Sequence, residues 1–246
     1  MKLYSDYHIH SKYSKNGHCK SELEKIVITA VDKGLREIAV SDHGIRHFLY
    51  GTSDKNIIKA RKEIDILKDK YPEIDIKLGI EANLISYDGD TDITQVVVDN
   101  CDIILLGIHF GVIFKGLWGS IRFFKLNFLG RFISPLRKYM AGINTDGLIK
   151  AMEKYDIDII THPGDKVPVD IERLAEAAER TNTALEINNS HRHLNIEEIR
   201  TASKYKVDFY IGSDAHVYEA IGEFSDSYDR IEKAGLGSDR IINLEV

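Results

Sequence analysis

Residues able to bind a metal ion crowd the start of the chain. The stretch Asp6 to His18, DYHIHSKYSKNGH, holds three histidines in thirteen residues, and only Ile9 separates His8 from His10. On a β-strand alternate side chains share a face, so both imidazoles would point the same way. A solvated surface is the plain reading of that pair, and a metal ion is the chemical one. Similar residues recur downstream, each after a short apolar run: His43 in SDHG, Glu81 in GIEANL, His109 in GIHF, His162 in THPG, and Asp214 with His216 in GSDAH.

With His18 included, the set is seven imidazoles and two carboxylates, too many for one ion, since a zinc-type site takes about four donors. Several divalent ions would make the cluster cationic. Such a cluster suits an anionic substrate and a bridging hydroxide, because bound metals lower the pKa of water toward neutrality. Imidazole-rich, thiolate-free ligation favours Zn, Mn or Fe over Mg or Ca. Asp42 should turn to the opposite face of its strand from His43 and cap or orient. Glu186 and Asn188 either line the site or support its ligands from behind.

The elements that must position these residues alternate along the whole chain. Strand signals fall at 2–8, 37–41, 75–80, 102–108, 157–161, 184–188 and 207–212. Helix signals follow Ser21, at 56–70, near 145–155, at 170–180, at 196–204 and toward Lys233. Ser21 with Glu24 reads as a capping box, and Gly34 and Gly235 read as helix stops. Alternating strands and helices argue for parallel βαβ units. Seven of them in 246 residues predict an α/β fold, a distorted (β/α)7 TIM-like barrel, with an open doubly wound sheet as runner-up. Six of the seven strands then deliver a metal-capable residue at the C-terminal end, where barrel enzymes build their sites.

Bulk properties agree with one barrel domain over residues 1–246. The hydrophobic fraction of 43% supplies a full core, and a net charge of −6 argues against a nucleic-acid scaffold. The two cysteines, Cys19 and Cys101, have neither zinc-type nor disulfide-framework spacing, which fits a cytoplasmic location. No signal peptide or transmembrane stretch is evident. One region breaks the alternation. Residues 111–140, inserted after strand four, hold six basic residues, no acidic one and seven aromatics, leaving −12 on the remainder of the chain. An ordinary helical insertion packed on the barrel or on a second subunit, a lid that steers anions, and an interfacial membrane patch are the three readings of that composition.

Taken in order, HxH, SDHG, GIEANL, GIH, THPG, EINNS and GSDAH resemble the PHP (polymerase and histidinol phosphatase) family, more its small stand-alone phosphatase branch than its polymerase-fused domains. The resemblance covers nearly the whole chain. It implies a seven-unit barrel and three divalent ions (Zn, Mn or Fe): one held by His8, His10, Glu81 and Asp214, a second by Glu81, His109 and His162, a third by His18, His43 and His216. The implied function is hydrolysis of a small phosphomonoester, histidinol phosphate among the family possibilities, by a metal-bridging hydroxide. A nuclease acting on DNA ends and a non-catalytic metal-binding regulatory module are the alternatives. The residues leave the general acid unassigned; Arg192 is the first choice for a phosphate-positioning cation, with His193 and Lys166 behind it. The long 112–140 segment departs from the family pattern.

Overall fold

Spatial order repeats chain order: β1 (Ser5–Ile9), β2 (Glu37–His43), β3 (Asp75–Asn83), β4 (Ile103–Gly107), β5 (Ile159–Ile160), β6 (Ala184–Asn188) and β7 (Phe209–Gly212) lie side by side, each parallel to the next. The computed structural model describes residues 2–245. Parallel neighbours need crossovers, supplied by α1 (Leu23–Asp32), α2 (Asp54–Lys70), α3 (Gln95–Asn100), α4 (Leu117–Gly130), α5 (Ser134–Lys154), α6 (Ile171–Thr181) and α7 (Ile196–Ala202), with α8 (Ser225–Ala234) after β7.

The sheet comes close to closing on itself. Near the C-terminal ends of β1 and β7, Ile9 bridges Ala215, with His10 N–H donating to Ala215 O at 2.9 Å and Ala215 N–H to His8 O at 3.2 Å. Lower on the same seam the buried Asn243 side chain stands in for a missing ladder. Its Nδ2 donates to Ser5 O at 3.1 Å and Ile211 O at 2.9 Å, and its Oδ1 accepts from Ile211 N–H at 3.1 Å. The result is a nearly closed seven-stranded barrel.

Side chains alternate between two cores. Ala39, Ile103, Leu105, Ile159, Ala184 and Tyr210 fill the barrel interior, while Ile38, Val40, Leu106, Ile160, Leu185 and Ile187 pack outward under the helices. Burial on both faces is why these strands read as apolar runs, and each buried Ile or Leu contributes roughly 1.5–3 kcal/mol. In β1 the register slips between Asp6 and Ile9. The slip lets Tyr7 stack on Tyr210, at 4.9 Å, while His8 on the next position also faces the interior and reaches Glu186.

Two expectations need correction. Ser21 does not cap α1: the helix starts at Leu23 with Glu22 as its N-cap and no side-chain cap bond. Ser21 is engaged elsewhere, its carbonyl accepting from Lys12 N–H. The helix expected near 145–155 begins at Ser134, with Pro135 in its first turn, where a missing N–H costs nothing. Residues 111–140 therefore contain α4 and the first third of α5. No helix among the described residues is long and apolar enough to cross a membrane.

Candidate metal centre

The C-terminal strand ends bring the predicted ligands to one mouth. Glu81 belongs to the inward-facing series on β3 and sits at the middle of the mouth. Its Oε1 lies 3.0 Å from His109 Nε2, 2.9 Å from His162 Nε2 and 3.5 Å from His8 Nε2; its Oε2 lies 2.6 Å from His43 Nδ1 and 3.8 Å from His10 Nε2. Asp214 Oδ1 is 3.1 Å from His10 Nε2 and 3.5 Å from both His8 Nε2 and His216 Nδ1. Four overlapping triplets have metal-ligand spacing: His8–His10–Asp214, His8–Glu81–His162, His43–Glu81–His109 and His10–His43–His216. His18 stands outside the triplets. Its ring centroid is 4.4 Å from that of His216, and it stacks on Tyr50 at 3.7 Å.

Hydrogen bonds behind the ligands fix which nitrogens are free. His8 Nδ1 donates to Glu186 Oε1 at 2.7 Å, His109 Nδ1 to Asn83 Oδ1 at 2.8 Å, and His216 Nδ1 to the Asp214 carbonyl at 2.9 Å. Asn83 cannot turn its amide around, because its Nδ2 is held by Asp92 at 2.8 Å. In the neutral rings the proton is then on Nδ1 and each Nε2 offers a lone pair. Those of His8 and His109 face Glu81 Oε1, at 3.5 and 3.0 Å, and His109 Nε2 also lies 3.3 Å from His162 Nε2. Acceptors facing acceptors repel unless a cation lies between them, and ligand bonds of about 2.0–2.1 Å in a tetrahedron put neighbouring donors roughly 3.3 Å apart. His8 Nε2, His10 Nδ1, His18 Nε2, His43 Nδ1 and Glu81 Oε2 are also buried without hydrogen-bond partners, a state that costs free energy unless something binds there. The donor set fits divalent metal ions.

Protonation follows the same logic. Burial pushes His10 and His18 down to about 4 and holds His43 well below the usual imidazole range, so these rings stay neutral. Burial would likewise lower His8, but Glu186, Asp214 and Glu81 outweigh it and raise its pKa well above the usual value. Burial opposes ionisation of Glu81 too, yet the His109, His43 and His8 imidazoles hold it well below the carboxylate range. Two ligand positions carry backbone strain: His162 has φ 26° and Asp214 φ 55°, which costs about 1–3 kcal/mol each for non-glycine residues. Gly212 makes room beside them, since a Cβ there would meet Glu186 Oε1 at 2.2 Å.

Asp42 turns away from His43 and binds the loop that carries His18, accepting from Ser11 N–H at 2.8 Å and from the Ser11 and Ser14 hydroxyls at 2.5 Å. The cations expected near the phosphate are placed differently. Lys166 lines the mouth, while His193 packs against Gly164 in a neighbouring cleft. Arg192 is exposed on a separate groove with Asn195, Glu197 and Asp226. Asn188 Oδ1 accepts from both Ser190 and His191 N–H, and that turn aims His191 at the mouth and Arg192 away from it.

Two further histidines belong to the mouth, a cavity of about 570 Å³. His191 Nε2 lies 3.2 Å from Asp214 Oδ2, with its Nδ1 3.4 Å from Asp165. His47 is the tautomeric opposite of the ligands: its Nδ1 accepts from Tyr50 N–H at 3.0 Å, which leaves the proton on Nε2. Burial holds His47 at about 4, so it remains a neutral donor. The signal for both was their position after β2 and β6, shared with the ligands.

The profile of the PHP domain family matches residues 6–190. A probable phosphatase of Shewanella frigidimarina is 30% identical over 257 residues, covering 99% of this chain and 90% of that protein. A probable phosphatase of Thermoanaerobacter sp. strain X514 is 28% identical over 260 residues, covering 100% and 92%. The crystal structure of the histidinol phosphate phosphatase of Lactococcus lactis, complexed with zinc, L-histidinol and phosphate, superposes with a TM-score of 0.63 at 15% identity. It covers 96% of this chain and 95% of that one.

Proposed function

This chain belongs to the PHP domain family, and from that premise we propose that it is a metal-dependent phosphatase hydrolysing a small phosphomonoester at a centre of three divalent ions. The observation that carries the reading is the convergence of imidazole nitrogens and carboxylate oxygens at metal-ligand spacing in a buried mouth, five of them without a hydrogen-bond partner. His8, His10, Glu81 and Asp214 would hold one ion, Glu81, His109 and His162 a second, and His18, His43 and His216 a third. Divalent ions bound there supply Lewis acidity, acidifying water and neutralising phosphoryl oxygens. The relatives' description as phosphatases supports the same chemistry.

The remaining roles fall to the chain's own groups. Glu186, Asn83 and the Asp214 carbonyl hold three rings in the ligating tautomer. The Nε2–H of His47 is available to donate to a phosphoryl oxygen, and Lys166 adds positive charge at the rim. His191, between Asp165 and Asp214 and outside the four triplets, is placed to hold the proton that a departing alkoxide needs.

The test measures metal content and phosphate release together. Protein purified without chelator should carry Zn, Mn or Fe and release phosphate from simple phosphomonoesters. A His8→Ala/His10→Ala double variant should lose metal and at least about a thousandfold in turnover. Undiminished turnover in that variant, or shortening of labelled DNA without release from small esters, would overturn the reading.

A further inference from the structure

We propose that the substrate carries a second anionic group, and that Arg131 and Arg137, with Lys166, hold it in a cleft beside the metal mouth. The proposal deepens the phosphatase reading and rests on it. Two adjoining clefts of about 150 and 240 Å³ open where the turn between α4 and α5 meets the loop after β5. Arg131, Arg137, Lys166 and His193 line the smaller one; Arg137, Lys138 and His193 continue into the larger. This space shares walls with the mouth. Lys166 lines both, and the Arg131 guanidinium lies 4.5 Å from the ring centre of Phe110, itself a mouth residue. One small molecule can span the two.

The cleft is positively charged and its arginines are not spent on acids. Among the described residues no carboxylate lies within 4 Å of Arg131 or Arg137, and Lys166 has only Asp165, at 3.4 Å. Glu198 borders the larger cleft, but its carboxylate accepts from Asn195 N–H at 2.7 Å to cap α7. Guanidinium groups match carboxylate and phosphate oxygens through paired donors, so either anion fits.

The walls are tied together, which fixes the backbone that carries the arginines before any ligand arrives. A Cβ on Gly130 would lie 3.4 Å from Arg137 Cα, a close approach that brings the two ends of the turn together. Buried Asn144 donates to Asn127 Oδ1 at 2.9 Å and to Pro168 O at 2.8 Å, and Asp170 N–H donates to Thr145 Oγ1 at 2.8 Å. Both helices are thereby bolted to the loop that carries His162 and Lys166.

The experiment compares three esters on the metal-loaded protein: glycerol phosphate, phosphoglycerate, and propanediol bisphosphate. The wild type should favour at least one of the two doubly anionic esters. In an Arg131→Gln/Arg137→Gln variant the ratio of its kcat/KM to that of glycerol phosphate should fall about tenfold or more, mainly through KM. A fall confined to phosphoglycerate identifies a carboxylate, and one confined to the bisphosphate a phosphate. Hydrolysis of glycerol phosphate with no preference in the wild type, or an unchanged ratio in the variant, overturns the second subsite and leaves the phosphatase reading standing. No hydrolysis of any ester overturns both.

Discussion

The mouth and the α4–α5 insertion treat polarity in opposite ways. At the mouth His8, His10 and Glu81 are fully buried, while on and just after α4 Trp118 is 78%, Phe132 75% and Leu117 73% exposed. Burying ionisable groups is expensive unless they are paired or coordinated, so the mouth needs a compensating partner. Exposing aromatics costs little folding stability, because the unfolded chain exposes them as well. The difference separates buried groups at metal-ligand spacing from a surface segment rich in arginine and lysine that borders the mouth.

The sharpest way to test that contrast lies within α4, whose two faces should behave differently. Phe123 is fully buried, stacked on Phe114 at 4.1 Å and close to Phe110 at 6.0 Å. Phe123→Ala should cost about 3–5 kcal/mol, read as a drop in the urea midpoint. A negligible loss would show that the insertion is not packed on the barrel, and that the arginines are not held in place.

A smaller effect should come from protons at the mouth. In chelated protein His10, His18 and His47, lowered to about 4 by burial, refuse protons that the unfolded chain accepts below about pH 6.5. The unfolded state then binds more protons, so stability falls as pH drops from about 6.5 toward 4. His8 and His162, raised against burial by their carboxylates, act the other way above about pH 6, where the unfolded chain has yet to protonate them, and contribute little slope below it. Urea midpoints of the chelated protein at pH 6, 5.5 and 5 should decline steadily. A flat profile down to pH 5 would mean that the imidazoles are hydrated, and the two regions would no longer differ in kind.

The site's make-up was far more legible in the sequence than its reach. Every predicted ligand lies in the C-terminal part of a strand or in the loop after it, and the register does the rest: inward positions such as Ala39, Ser41 and His43 on β2 alternate with outward Ile38, Val40 and Asp42. Strand β6 runs from Ala184 to Asn188, as its apolar pattern predicts. β2 and β3 extend to His43 and Asn83, past the apolar runs, because polar inward residues continue the pairing. Helix α3 is too short for a periodic signal, and Gly142, Asn144 and Thr145 interrupt the pattern of α5 where their small or polar side chains meet neighbouring segments. Arg192 went astray for a local reason, since one backbone turn separates a mouth histidine from a solvent-facing arginine.

The smallest expected effect concerns the outer face of α4, where Leu117, Trp118, Ile121, Phe124 and Phe128 lie exposed at helical spacing. Trp118 makes none of the stacking contacts that hold Phe123. Trp118→Ser should therefore change the urea midpoint of the isolated chain by no more than about 0.5 kcal/mol. The concentration dependence of a larger change is informative. A loss above about 1 kcal/mol that grows with protein concentration would mean that a second copy covers this face, because association stabilises by mass action. A loss independent of concentration would place Trp118 in the core that Phe123 already occupies, and the outer face would then cease to contrast with the mouth.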